Sequence, residues 1–424
     1  AAARAATNPV TPGNFRGYGF DQCLAPSQSA MNTWLNHSPF LAVGIYISGD
    51  SRACRNQPNL TPKWISTQLR KGWRLLPITL GPQASCQPRF PRYADDFKIN
   101  PKPGKYNRYS LAKRQGTTEG GRSVAAAKAL GIVAGSTLWY DLEGFNHSDT
   151  HCRESALSFL SGWTARVREL GFKAGVYSSV GSGIKMLDDA RVNRPGKFAL
   201  PDAIWMARWD GIANTSSSYI REDGWRPGGR VKQYMGGHDE TWGGVRINID
   251  RNFLELGRGS AATPENRCGG VRIGFSRYDA LRQPTASGQE SPADQVKALQ
   301  CLLQEKGLYT GRLGGNFNAK LLAAAQEWQR RTGFPVRRVW SRKNWVTLFA
   351  AGARPALKFG SAGPDVRRVQ RALNATYADL GLRSAGTFDL RTHNAVRAWQ
   401  KDAGIPVSGV MNPASWAALA LARR

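Results

Sequence analysis

Between residues 15 and 256 eight short apolar, strand-length runs recur, with helix-length segments between most of them. The runs cover 17–21, 41–47, 74–80, 137–143, 173–178, 203–208, 230–234 and 245–250, and the clearest helical segments are 62–71, 121–130 and 154–170. Parallel neighbours need a crossover between strands, and a helix is the usual crossover. Eight such units over about 240 residues predict an α/β domain, a (β/α)8 TIM-like barrel spanning residues 1–262. The stretch 82–115 is a long basic insertion after the third strand, expected to cover one rim of the barrel mouth.

In such barrels the chemistry sits at the C-terminal ends of the strands. Reading those ends yields Asp21, Asp141, Glu143, Tyr177, Trp205, Gln233 and Asp250. Asp141-Leu142-Glu143 closes the apolar run Thr137-Leu138-Trp139-Tyr140. Alternate residues of a strand share a face, which puts both carboxylates on one side with Cα atoms ~6.6 Å apart. Two acids at the end of a buried strand are costly to desolvate. Paired carboxylates of divergent proton affinity are what acid-catalysed glycosidic cleavage needs. Aromatic and amide groups on neighbouring strands suit sugar rings and hydroxyls. His147 and His151 lie four apart with the capping residues Ser148 and Asp149 between them, so they are expected to straddle a loop, and no metal site is expected. No phosphate loop or nucleotide fingerprint is present, and no cofactor is expected.

The formal net charge is +29. Residues 264–424 hold 25 basic and 10 acidic residues, against 34 and 20 over 1–263, so the charge is spread along the chain. A field of that sign attracts a polyanion. Without a zinc finger, an RNP1 pattern or basic-zipper heptads, nucleic acid is not the expected partner. No run of about 18 apolar residues occurs, so no membrane span is expected. The start, Ala1-Ala2-Ala3-Arg4, reads as a mature secreted form. Six dispersed cysteines, Cys23, Cys54, Cys86, Cys152, Cys268 and Cys301, point to three disulfides in an oxidising compartment. Cys268 and Cys301 are the expected C-terminal pair. Among the other four, all placed in loops at one barrel end, Cys54–Cys86 with Cys23–Cys152 is the first choice among the open connectivities.

Residues beyond the barrel repeat with a 70–71-residue offset. Val296-Lys-Ala-Leu299-Gln300 aligns with Val366-Arg-Arg-Val369-Gln370, Gly315-Asn-Phe317 with Gly386-Thr-Phe388, Trp328-Gln329 with Trp399-Gln400, and Trp345 with Trp416. Each copy is expected to be a small all-α module, at 293–352 and 356–424, with 263–292 as a linker. The copies resemble the peptidoglycan-binding domains found beside cell-wall hydrolases. The second, with Gly360, Gln370, Leu373, Phe388, Thr392, Gln400, Gly404, Gly409 and Trp416, follows that pattern more closely. The first departs from it at Lys320-Leu321 and Arg337-Arg338-Val339, and is expected to be a degenerate module. Trp328 and Trp399 are expected to be core residues.

The order Gly19-Phe-Asp21, Asp141-Leu-Glu143, Gly175-Val-Tyr177-Ser-Ser, Ile204-Trp205-Met-Ala207, Gln233-Tyr234 and Ile249-Asp250-Arg-Asn252-Phe253 resembles the family 25 glycoside hydrolases, the lysozyme-type muramidases. Cys23, Ala25-Pro26-Ser27, Ala42-Val-Gly-Ile-Tyr46-Ile and Gly72-Trp73 make it more similar still to a related actinobacterial, secreted glycoside hydrolase-like family. The resemblance implies a secreted, wall-associated, monomeric enzyme that cleaves the peptidoglycan glycan strand and binds peptidoglycan and anionic wall polymers. It implies Glu143 as general acid, kept protonated by neighbouring charge, and Asp141 as an ionised partner. Asp21 and Asp250 would shape the field, and Tyr46, Tyr177, Trp205 and Gln233 would bind substrate. The second acid that muramidases often carry before the last strand is not evident, and Asp239 and Glu240 fall in what reads as a polar loop. The alternative is a non-catalytic wall-binding protein with a hydrolase-like barrel.

Overall fold

The computed structural model describes residues 7–424, and the Ala1-Ala2-Ala3-Arg4 start lies outside the described residues. The chain forms two compact units, Ala1–Gly259 and Ser260–Arg424. In the first, eight strands close a barrel in chain order: β1 (Phe15–Asp21), β2 (Phe40–Ser48), β3 (Arg74–Thr79), β4 (Thr137–Asp141), β5 (Lys173–Ser179), β6 (Ala203–Ala207), β7 (Gly229–Trp242) and β8 (Val245–Leu256). Helices α1 (Gln28–His37), α2 (Pro62–Arg70), α3 (Ser110–Ala129), α4 (Thr150–Glu169) and α5 (Lys185–Asn193) fill the first five connections. Ser27, Thr61 and Asp149 cap α1, α2 and α4 by accepting from backbone N–H groups one turn on.

One departure from the expected barrel sets the geometry of the mouth. β8 runs antiparallel to both β7 and β1. Between Trp242 and Val245 stand only Gly243 and Gly244, at φ +57° and +79°. Positive φ at both central residues gives the turn whose twist suits a tight hairpin, and glycine reaches it without strain. No crossover helix is needed. The hairpin makes β7 and β8 longer than predicted, and Asp239 and Glu240 lie within β7 rather than in a polar loop. Asp250 lies in mid-strand instead of at a C-terminal end, and it faces Asp21 across the β1–β8 pairing.

The barrel interior is packed. Phe15, Leu41, Leu76, Ile78, Trp139, Trp205, Val231 and Leu254 fill it, while a separate, larger apolar layer lies between strands and helices. Trp139 and Trp205 meet edge-to-face at 5.6 Å, a favoured ring geometry. Gly175 lets Trp139 lie flat against β5, because a Cβ there would come within 2.3 Å of the indole.

The disulfides are Cys23–Cys54, Cys86–Cys152 and Cys268–Cys301. The C-terminal pair matches expectation, but the expected Cys54–Cys86 and Cys23–Cys152 pairs do not form. Cys86 belongs to the insertion after β3, which lies against the β4–α4 loop, and Cys152 opens α4. That leaves Cys54, on the β2–α2 connection, to the β1–α1 loop.

The second unit has three helices per copy: α6 (Ala293–Glu305), α7 (Ala319–Arg331) and α8 (Arg342–Ala350), then α9 (Pro364–Thr376), α10 (Leu390–Asp402) and α11 (Pro413–Ala420). The repeated glutamines are buried latches. Gln300 and Gln370 each accept from a glycine N–H, of Gly315 and Gly386, and donate to a loop carbonyl. Before the third helix, Gln329 accepts from the Arg337 N–H and donates to the Val339 carbonyl, and Gln400 accepts from the Gly409 N–H and donates to the Val410 carbonyl. Trp328 and Trp399 are buried, as expected. The stretch 263–292 is woven into this unit. Ile273, Phe275, Tyr278 and Leu281 are buried, Asn374 donates to the Phe275 carbonyl, and residues 281–282 pair with 339–340. Arg368 of α9 donates to the carbonyls of Phe349, Ala350 and Ala353, so the two copies share one folded body.

Gly175→Ala drives a methyl into Trp139, and it should destabilise the barrel by about 1–3 kcal/mol. Denaturant unfolding followed by tryptophan fluorescence reads this. Wild-type stability in that variant would show that the ring can move aside.

Candidate active site

Asp21 closes β1 and is buried beneath the mouth. Gln233 Nε2 donates to it at 3.0 Å and Asn252 Nδ2 at 2.7 Å. The amide of Gln233 is oriented by its other end, where Oε1 accepts from Tyr177 Oη at 2.9 Å and from Trp209 Nε1 at 3.0 Å. Asn252 Oδ1 accepts from Trp205 Nε1 at 2.7 Å. A continuous chain of donors therefore runs from the aromatic side of the mouth to the Asp21 carboxyl.

Asp141 ends β4 and is 2% exposed. Tyr46 Oη lies 3.4 Å from its Oδ2, while Oδ1 has no hydrogen-bond partner among the described residues. Glu143 lies two residues beyond the strand, half-buried, rather than within it as predicted. The insertion after β3 holds it there. Gln83 Oε1 accepts from the Glu143 backbone N–H, Gln83 Nε2 donates to the Asp141 carbonyl, and Gln87 Nε2 donates to the Gly144 carbonyl. Arg89, also in the insertion, donates to Glu143 Oε2 at 2.7 Å.

Burial acts on the other three acids. It pushes Asp141 well above the usual carboxylate range, and the charges of Glu143 and Asp21 add to the effect. Burial also raises Asp21, although the amides of Asn252 and Gln233 oppose it. Asp250 is pushed up to about 8 by burial, by the Asp21 charge and by a hydrogen bond to Asp21. The facing pair therefore shares a proton, with Asp250 holding it near neutral pH. Burial and then the Asp141 and Asp21 charges also hold Tyr46 and Tyr177 well above the ordinary phenol value, so both remain donors. The expected ionised state of Asp141 is not the pattern found, because its burial favours the protonated carboxyl. The proton-retaining carboxyls are the buried ones, and Glu143 is ion-paired with Arg89.

Of the expected site residues, Asp21, Tyr46, Glu143 and Asp250 line one cavity of about 270 Å³. Glu143 and Tyr177 line a second, of about 410 Å³, with Trp209 and Tyr219. Gln233 is buried behind both as the link between Tyr177 and Asp21. Trp205 is 1% exposed and packs on Trp139 and Tyr177, so it supports Asn252 and cannot meet a ligand. The exposed ring is Trp209, four residues on, at 67%. Strand-end reading misses Trp209, Asn252, Gln83 and Arg89, because each acts from a loop or an unexpected strand direction. Glu240 is engaged by Arg251 and His238, and Asp239 by Asn248. His151 opens α4 with its Nδ1 2.8 Å from Tyr109 Oη, and His147 lies in the preceding loop.

Residues 32–254 match the family described as the Rv2525c-like, glycoside hydrolase-like domain, and residues 362–419 match the putative peptidoglycan binding domain. Three solved structures are similar to the chain. An uncharacterized B. stearothermophilus protein is 17% identical, covering 56% of this chain and 95% of that one, with a TM-score of 0.34. The Mycobacterium tuberculosis Tat-secreted protein Rv2525c is 12% identical, covering 57% and 96%, with a TM-score of 0.37. A family 25 glycosyl hydrolase from Bacillus anthracis is 13% identical, covering 60% and 94%, with a TM-score of 0.31. No protein of curated function matches the sequence.

Raised carboxyls bind protons in the folded state at pH values where the unfolded chain has released them. The unfolded state then holds fewer protons, and stability falls as pH rises through the window. For Asp250 that window runs from 3.8 to about 8. Asp250→Asn should therefore stabilise the barrel at pH 8 by about 1–3 kcal/mol and leave it nearly unchanged at pH 4. Melting curves across that range test this, and an equal effect at both ends would place the shared proton elsewhere.

Proposed function

The chain belongs to the Rv2525c-like, glycoside hydrolase-like family and carries a peptidoglycan-binding domain, and from that premise we propose that it is a cell-wall glycan hydrolase with Glu143 as its acid and base. The observation that carries the reading is the position of Glu143. It is the carboxylate common to both cavities of the mouth, where a glycosidic bond would lie with a sugar unit on either side. To give a proton to the glycosidic oxygen, Glu143 must first part from Arg89, whose side chain is 62% exposed. Asp141 is too buried to touch the sugar, so it acts by tuning the field beneath Glu143. Tyr46 steadies Asp141, and Asn252 and Gln233 steady Asp21. Water or the substrate's own 2-acetamido group would complete the displacement at the anomeric carbon. The second unit would hold the enzyme on its polymer and raise local substrate concentration without altering the site. Three disulfides fit an oxidising location outside the cytosol, at the wall. Among the described residues, no helix is long and apolar enough to cross a membrane.

One observation favours a second reading. The Arg89–Glu143 ion pair occupies the acid, as a site that binds glycan without cutting it would tolerate. Release of reducing ends from purified peptidoglycan separates the two. Glu143→Gln should lower the rate by roughly the 10²–10⁴-fold of a positioned acid–base group while wall pull-down persists. An inactive wild type that still binds wall would favour the binding protein.

The anchoring claim has its own test. Since the two copies share one body with residues 263–292, the informative truncation ends at Gly259 rather than between the copies. It should bind insoluble peptidoglycan far more weakly and turn over short soluble fragments at the full-length rate. Undiminished wall binding would place the anchor on the barrel.

A further inference from the structure

The two cavities that meet at Glu143 differ in chemistry. The smaller has Arg52 and Arg92 on its wall. Arg52 is partly buried, and burial lowers its proton affinity. Its Nε donates to the Gly49 carbonyl at 2.8 Å. The nearest acid on its own loop, Asp50, is taken by Arg122. Arg92 lies over the Phe90 ring. Among the described residues neither guanidinium has a carboxylate within ion-pair distance, although nearly every other acid of the mouth is already engaged. A partly desolvated cation without a direct ion-pair partner is costly unless a ligand completes it. The acids around Arg52 and Arg92 act on these charges only from beyond ion-pair distance: Asp50 acts on Arg52, and Arg92 acts on Asp141. Asp21 and Asp250 share a proton, and Glu143 is paired with Arg89.

The larger cavity has no such excess. Trp209 and Tyr219 stand exposed on its wall, at 67% and 44%. The Trp209 ring is held by its Nε1 bond to Gln233, and Arg208 lies over Tyr219 at 5.1 Å. A ring that is fixed yet open offers its face to the C–H face of a sugar. The same Gln233 contacts Asp21, so the stacking wall is tied to the acid floor.

Building on the hydrolase reading above, we propose that the mouth selects an anionic saccharide: Arg52 and Arg92 hold its carboxylate or phosphate on one side of Glu143, and Trp209 and Tyr219 stack a sugar ring on the other. Charge-assisted, two-pronged contacts from arginine give both affinity and orientation. The ligand then lies across the acid in one direction only.

Calorimetric binding to the full-length chain carrying Glu143→Gln tests this without turnover. The probes are a neutral N-acetylglucosamine tetramer, a tetramer whose alternate units carry a lactyl carboxylate, and a phosphorylated N-acetylglucosamine tetramer. At least one anionic probe should bind about tenfold or more tightly than the neutral one, and the tighter of the two identifies the carboxylate or the phosphate as the natural anion. Adding Arg92→Gln, and Arg52→Gln with it, should abolish the preference while the neutral tetramer binds as before. Trp209→Ala should weaken all three probes alike. Equal binding of the three tetramers, or a preference that survives loss of both arginines, overturns the proposal. Arg92 is exposed, so its single variant keeps the test decisive if Arg52→Gln disturbs folding, which circular dichroism reports. Wild-type release of reducing ends from the same tetramers is scored separately. Cleavage without charge preference sinks the anion site and spares the hydrolase, whereas preference without cleavage does the reverse.

Discussion

The antiparallel pairing of β8 with β1 is the constraint on which the site depends. It closes the barrel and sets Asp250 opposite Asp21. Two carboxyls brought face to face in a buried position cannot both release their protons cheaply. The strands thus impose a shared proton, and Asn252, one more residue of the same strand, adds the amide that steadies Asp21. The reversal itself comes from two glycines. A two-residue turn between Trp242 and Val245 leaves no room for a crossover helix, so β8 must run back along β7.

Around that pair the polar groups form a supported network rather than a set of isolated acids. Trp205 and Trp209 flank it, one buried and one exposed, and each spends its indole N–H on an amide that in turn reaches Asp21. Trp139 packs edge-to-face on Trp205 in the barrel interior, so the network rests on a packed apolar layer. Asp141 and Asp250 retain protons at a cost to stability that rises with pH. Holding strained protonation states is a common feature of functional sites. Glu143, by contrast, is placed by the insertion after β3, whose Gln83 and Arg89 set its backbone and its side chain.

The second unit follows a different logic. Each copy alone is close to the lower size limit for a stable core. Sharing one body with its neighbour and with residues 263–292 relieves that limit. Buried glutamines bind the loops, and Arg368 spans from one copy to the other. Several residues that make the copies similar to a wall-binding pattern, among them Gln370, Gln400 and Trp416, are thus parts of the fold.

Local pattern determined a good deal by itself. Eight apolar runs, an internal repeat and an even cysteine count each reflect short-range rules of strand periodicity, helix spacing and pairing. They made the barrel, its helices, the modules and the Cys268–Cys301 bridge legible. Asp21, Asp141, Glu143 and Asp250 were also visible as candidate acids, although Asp250 lies in mid-strand and Glu143 beyond the end of β4. What only the tertiary structure decided were the relations between distant segments. Strand direction turned on a Gly-Gly hairpin and placed Asp250. The barrel disulfides followed from which loops lie together. Trp205 went inward and Trp209 outward because β6 ends at Ala207, and the following loop turns the second ring to the mouth. Proton location was beyond the sequence for the same reason: it depends on burial and on neighbours up to 231 residues away, and neither is a property of a residue's own surroundings in the chain.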